Sequence, residues 1–169
     1  NVPYESSKPV YTFWDLGFGD STAIWFVQMV AGQYRVIDYL EDNRKAIDYY
    51  VRQIQSKPYV YERHFLPHDG NHANLATGKT MREIVEGYGL KVEITPQIGI
   101  DNGINATRMA MPNVWIDENK CKEGIKALEY YHYETDKNGN RRNTPAHDWS
   151  SHGCDAFRYM AVAFKESVK

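Results

Sequence analysis

The sequence predicts an α/β protein built on one mixed sheet: a three-stranded antiparallel meander continued by parallel strands and flanked by helices. Three observations carry this reading. Three consecutive strand-like segments near the start are joined by connections too short for anything but antiparallel neighbours. Beyond them, segments of helical periodicity alternate with short strand-like runs, the order expected when helices cross over a sheet. Aromatic residues make up 14% of the 169, with 13 tyrosines, a composition suited to a sheet-rich core with amphipathic rims.

The elements follow in order. Val10–Gly17 is a run of β-branched and aromatic residues stopped by glycine, and Ser21–Val30 is apolar enough for a central strand. Ala31-Gly32-Gln33 turns the chain into a third strand, Tyr34–Leu40. Asn43–Gln55 places Ala46, Ile47, Tyr50, Val51 and Ile54 at helical spacing and ends at Lys57-Pro58. Tyr59–Leu66 reads as a fourth strand, parallel to its neighbour because a helix precedes it. Thr80–Tyr88 is helical, Leu90–Ile94 a short strand, Ile100–Ala110 helical and Asn113–Ile116 another strand. An amphipathic helix over Lys120–Tyr131 leads to a hairpin, Tyr131–Thr135 and Arg141–Thr144, with its tip at Asp136–Asn140. A last helix runs over Ser151–Glu166, with Cys154, Phe157, Ala161 and Phe164 on one stripe.

Composition excludes more than it proposes. Lys and Arg number 20 against 22 Asp and Glu, a net charge of −2, so no overall basic field advertises nucleic acid and any such partner must be recognised locally. Cys121 and Cys154 form no C-x-x-C pair and read as buried thiols. No apolar run approaches the roughly 20 residues of a membrane helix, which argues against a membrane partner. The chain opens at Asn1 without an initiating Met, and residues 1–169 are expected to form a single domain from the C-terminal part of a longer polypeptide.

The chemistry lies in acidic residues at strand ends. Asp15 interrupts an apolar strand, on the face shared with Tyr11 and Phe13 and opposite Trp14. A carboxylate there is costly unless paired or bound to a cation. Asp69 follows the fourth strand in His-Asp-Gly and, alone, would pass for a turn residue. Asp155 stands in the first turn of the last helix and, alone, would pass for a helix-dipole partner. If the first and fourth strands are parallel neighbours, the acids meet at one sheet edge. Three carboxylates there suit hard divalent cations, and two metals about 4 Å apart is the arrangement for phosphodiester hydrolysis. Asp20 reads as a turn acid or a supporting metal contact.

These residues carry a resemblance. Asp15-Leu-Gly-Phe-Gly-Asp20-Ser-Thr-Ala-Ile, Pro67-His-Asp69 after a strand, and His152-Gly-Cys-Asp155-Ala-Phe-Arg-Tyr159 together resemble the nuclease domain of tailed-phage terminase large subunits, an RNase H-like fold. The resemblance implies a metal-dependent endonuclease that cuts double-stranded, concatemeric viral DNA during packaging. It assigns Asp15, Asp69 and Asp155 to metal binding, with Asp15 bridging two Mg²⁺ or Mn²⁺ ions, and places His152 near the metal. His68 and Lys79 are supporting candidates. The hairpin implies DNA-backbone contacts by Lys137, Arg141 and Arg142. It further implies an ATPase domain upstream, a terminase small subunit and a portal as partners, and action in the host cytoplasm as part of the packaging motor, outside the mature virion.

Two other patterns compete. Ala73–Thr80 resembles a relaxed P-loop, with Asn113–Glu118 as the acidic strand end of a nucleotide-binding site. However, Ala73 replaces the first glycine, and Pro67–His72 separates the loop from its strand. Gly78-Lys79-Thr80 is better read as a helix start. His64, His68 and His72 recur at the spacing of zinc ligands on a helix, but Pro67 and Gly70 break any such helix. A junction resolvase would share the fold and the acids without the packaging role.

Overall fold

A computed structural model describes residues 1–16, 21–71, 73, 78–97, 99–130, 133–135, 141–145 and 151–167, with backbone alone for 71, 100, 130, 133–135, 141–145, 151–152 and 165–167. β1 (Val10–Asp15), β2 (Ser21–Val30) and β3 (Gln33–Asn43) form the antiparallel meander. The β2–β3 turn is closed by Ala31 at φ 50° and Gly32 at φ 77°, the left-handed pair that a two-residue hairpin demands. α1 (Ile47–Ser56) crosses to β4 (Tyr61–Leu66), which lies parallel beside β1, as the sequence predicts. α2 (Met81–Gly87) leads to β5 (Val92–Ile94), α3 (Ile100–Ala110) to β6 (Val114–Ile116), and α4 (Lys122–Tyr130) to the separate hairpin of β7 (Tyr133–Thr135) and β8 (Arg141–Pro145). α5 (Ser151–Ser167) closes the chain.

The main sheet has the order β5-β4-β1-β2-β3-β6, with β6 parallel to β3 at one edge and β5 parallel to β4 at the other. One boundary departs from expectation. The helix expected from Asn43 starts at Ile47, because β2 is ten residues long and its first residues, Ser21 and Thr22, draw Asn43 and Asp42 into the ladder. Hydrogen-bond pairing outweighs the helical spacing at that junction.

Each sheet face carries its own core. Phe13, Trp25, Val27 and Phe65 bury against Phe157, Met160 and Phe164 of α5, with α4 alongside. Val10, Trp14, Ile24, Phe26 and Ile37 bury against Tyr50, Val51 and Ile54 of α1. A fully buried aromatic or aliphatic side chain contributes about 1.5–3 kcal/mol, so these two layers dominate the fold. Phe13 and Trp14 fall on opposite faces as the alternation predicts, which puts Asp15 on the α5 side. Cys121 and Cys154 are both buried. Among the described residues, no helix is long and apolar enough to cross a membrane.

Candidate catalytic site

Asp15 closes β1 and is only 8% exposed. The β1–β4 register sets Thr12 against His64 and Phe13 against Phe65, so the chain leaving β4 passes Asp15 at Pro67. A short 3₁₀ turn over His68–Asn71 then presents Asp69, which is exposed. Gly70 permits this tight turn: its N–H donates to Pro67 O at 2.8 Å, and a Cβ there would come within 3.2 Å of Leu66 Cβ. The two acids thus come from the same end of two parallel strands, as the sequence requires.

Asp155 is supplied by α5, whose start is fastened to the sheet. The buried Trp25 Nε1–H of β2 donates to Gly153 O at 2.7 Å, and the Cys154 thiol donates to Ala127 O at 3.2 Å. Gly153 sits so close to β3 that a Cβ would meet the Tyr39 hydroxyl at 2.7 Å. Because α5 starts at Ser151, Asp155 lies beyond its first turn, which has no acidic residue. The first-turn placement is corrected, and with it the dipole explanation of this acid loses its basis.

Tyr159 lies one helical turn after Asp155 on α5. Its hydroxyl is pushed well above the ordinary tyrosine range, first by burial and then by the negative charges of Asp15, Asp155 and Asp69, with Arg158 opposing. All three carboxylates act on this hydroxyl in the same direction, Asp15 most strongly. The sequence quoted Tyr159 in the motif but gave it no role; its position four residues after Asp155 on one helix face was the available signal. Arg158 pairs with Asp155 at 3.0 Å. Glu41 was also missed. The ladder aligns Asp15, Ala23 and Glu41 in one row across β1, β2 and β3, and the Tyr39 hydroxyl donates to Glu41 Oε1 at 2.6 Å.

The donor type, a carboxylate from each of three elements, is the kind a hard divalent cation takes. Among the described residues, however, no three His, Cys, Asp or Glu side chains are grouped tightly enough to hold a metal ion together. Asp155 is instead engaged by Arg158 at 3.0 Å. The remaining candidates separate. His68 is half-buried and lines a cavity of about 300 Å³ with Gln97, Gly103, Arg158 and Tyr159. Lys79 is exposed just ahead of α2. Asp20, Lys137 and the hairpin tip lie outside the described residues, as do the side chains of His152, Arg141 and Arg142.

Both competing patterns have structural explanations. Thr80 caps α2: it accepts from Glu83 N at 3.0 Å, and its own N–H donates to Glu83 Oε1 at 3.3 Å, which makes Gly78-Lys79-Thr80 a helix start. Asp117 accepts from the backbone N–H groups of Val2, Asn119 and Lys120 at 2.9–3.0 Å and so ties the N-terminal arm to the sheet. His64 is buried against Thr12 in the sheet, not offered to a metal with His68.

The sequence matches no protein-family model and no curated protein. Solved structures do match. The large terminase of a thermophilic bacteriophage superposes at a TM-score of 0.72 with 15% identity over 95% of this chain, which spans 40% of that one. The large-terminase nuclease domain of bacteriophage SPP1, with bound Mn, matches at 0.66 with 20% identity over 94% of this chain and 86% of that one. The large-terminase nuclease of the thermophilic phage G20c, with bound magnesium, matches at 0.64 with 14% identity over 96% and 84%. At such identities the likeness speaks for architecture: this chain has the RNase H-like fold of large-terminase nuclease domains.

Proposed function

We propose that the chain is the metal-dependent nuclease domain of a viral large terminase, cutting double-stranded concatemeric DNA during genome packaging. The observation that carries this reading is topological: Asp15 and Asp69 leave the same end of the parallel neighbours β1 and β4, and Asp155 stands on α5, which packs on that face of the sheet. Support comes from the fold shared with large-terminase nuclease domains whose structures hold Mn or magnesium. Two divalent cations, when bound, supply a clamp on the attacking and leaving oxygens of a phosphodiester.

In this reading Asp15, at the buried end of β1, would hold the ions together with Asp69 and Asp155, and His152 would assist Asp155. Lys79 neutralises developing negative charge, Asp20 and His68 support the site, and Lys137, Arg141 and Arg142 of the hairpin contact the DNA backbone. An ATPase domain elsewhere in the polypeptide, a small subunit and a portal would bring the DNA to this edge of the sheet within the host cytoplasm.

The test is plasmid cleavage by the chain in Mn²⁺ or Mg²⁺, beside Asp15→Asn and Asp69→Asn. Metal-dependent conversion of supercoiled DNA that either substitution reduces at least about a hundredfold supports the assignment. Equal cutting by all three proteins, or cutting unaffected by chelation, overturns it.

A further inference from the structure

Three aromatic rings line a cavity at the other end of the sheet face that α5 covers. The parallel register sets Tyr11 beside Arg63 and Phe13 beside Phe65, so Tyr11, Arg63 and Phe65 share that face. The Tyr11 ring stands edge to face with Phe164 of α5 at 5.5 Å between centroids, and 6.3 Å from Phe65. With Met29 of β2 these rings line a cavity of about 330 Å³. Phe65 and Phe164 are buried in the core, which fixes the floor. The rim is charged, with Glu62, Arg63 and Glu93 around it, and both carboxylates belong to exposed residues. The Tyr11 hydroxyl registers that rim. It is held above the ordinary tyrosine range by burial first and then by Glu62, with Arg63 opposing and Glu93 adding.

Two carboxylates stand against one guanidinium at this rim, and their pairing is weak. Arg63 Nε lies 3.9 Å from Glu93 Oε1, with the side chains 36% and 50% exposed, a contact of little worth in water. An aromatic floor under a rim of net negative charge selects a flat cation. The ring quadrupole attracts positive charge, a guanidinium also stacks on the ring, and carboxylates accept its N–H groups. A phosphate or an acidic peptide would instead meet two like charges. We propose that this cavity receives an arginine side chain of a partner protein, its guanidinium against Tyr11 and between Glu62 and Glu93. Tyr11 precedes Asp15 by four residues on β1, and Phe164 follows Asp155 by nine on α5, roughly 13 Å along either element. An occupant here leaves the acids accessible, and the proposal does not depend on the nuclease reading.

The test titrates the peptide acetyl-Gly-Arg-Gly-amide into the chain carrying ¹³C-methyl methionine. Met29 lines the cavity, so its methyl signal reports occupation. The signal is expected to move and saturate with a dissociation constant of about 1–10 mM, the range for a single side chain. The citrulline peptide has the same shape without the charge and is expected to bind at least about tenfold more weakly. Glu62→Gln combined with Glu93→Gln alters only exposed positions, and is expected to weaken the arginine peptide about tenfold while leaving the thermal midpoint unchanged. A Met29 signal unmoved by the arginine peptide overturns the proposal. So does equal binding of the citrulline peptide, which would make the cavity a plain apolar groove, or unchanged arginine affinity in the double variant. Each of these results leaves the plasmid-cleavage test of the nuclease reading untouched.

Discussion

Thr12 and His64 face each other across the parallel β1–β4 pair, with Oγ1 2.6 Å from Nδ1. Trp14 Nε1–H donates to the same Thr12 oxygen at 2.8 Å, which leaves the hydroxyl proton available to Nδ1 of a neutral ring. Burial lowers the His64 pKa to about 4. An unfolded histidine titrates near 6.5, so as pH falls the unfolded chain takes up this proton first. The stabilisation is complete above about pH 6.5 and is lost as pH falls towards 4, a difference on the order of 3 kcal/mol. Urea unfolding between pH 4 and 7 checks it. Wild type should lose stability with acid along this profile, and His64→Gln should show a shallower slope; identical slopes contradict the assignment.

That relationship marks where sequence reading stops. Alternation alone placed Asp15 on the Phe13 face and Trp14 opposite, and helix-before-strand order alone made β4 parallel, so it was legible that Asp15 and Asp69 leave the same end of neighbouring strands. The extent of β3 was not, because the length of β2 decides it through pairing across space. The partner of Arg158 was not named from the sequence, although its i,i+3 spacing to Asp155 on one helix was the available signal. Glu41 was not, since only the Asp15–Ala23–Glu41 row brings it to the same edge. Tyr159 was half legible: its helix face follows from spacing, whereas its burial beside three carboxylates depends on how α5 is fastened by Trp25 and Gly153.

The fastening of α4 and α5 predicts opposite outcomes at two glycines. A Cβ on Gly124 of α4 would come within 2.3 Å of Trp25 Cη2, and that ring is fully buried, 4.4 Å from Tyr39 and 5.3 Å from Phe157 between centroids. Gly124→Ala should destabilise by about 2 kcal/mol net, since overpacking exceeds the gain in helix propensity. Gly87 of α2 is exposed with nothing within 4 Å of its added Cβ, so Gly87→Ala should be neutral or stabilise by up to about 0.5 kcal/mol. Urea midpoints of the two variants decide between these signs.

Metal binding to the native carboxylates should appear as thermal stabilisation. A ligand at a hundred times its dissociation constant adds about 2.7 kcal/mol, which for a domain of this size raises Tm by roughly 5–10 °C. The wild-type Tm should climb with Mn²⁺, while Asp15→Asn, deprived of the bridging carboxylate, should stay within about 2 °C of its metal-free value. An equal rise in both proteins would place the binding elsewhere on the chain.

The acidic balance predicts how the domain meets DNA when no metal is present. With 20 basic against 22 acidic residues, attraction to phosphate must come from a local set, for which the hairpin residues Lys137, Arg141 and Arg142 are the candidates. Each phosphate contact contributes about 0.9 to the slope of log K against log salt. Binding to duplex DNA in EDTA should therefore be weak and fall steeply from low to physiological salt. Arg141→Ala and Arg142→Ala should each flatten the slope by about one unit, without changing the thermal stability of the chain. Nanomolar affinity independent of salt would show that the contact is made by other chemistry, and an unchanged slope in both variants would remove the hairpin from the interface. The acids supply the reason for the weakness: Asp15, Asp69 and Asp155 repel the phosphate they would have to approach until divalent cations reverse the sign of that edge.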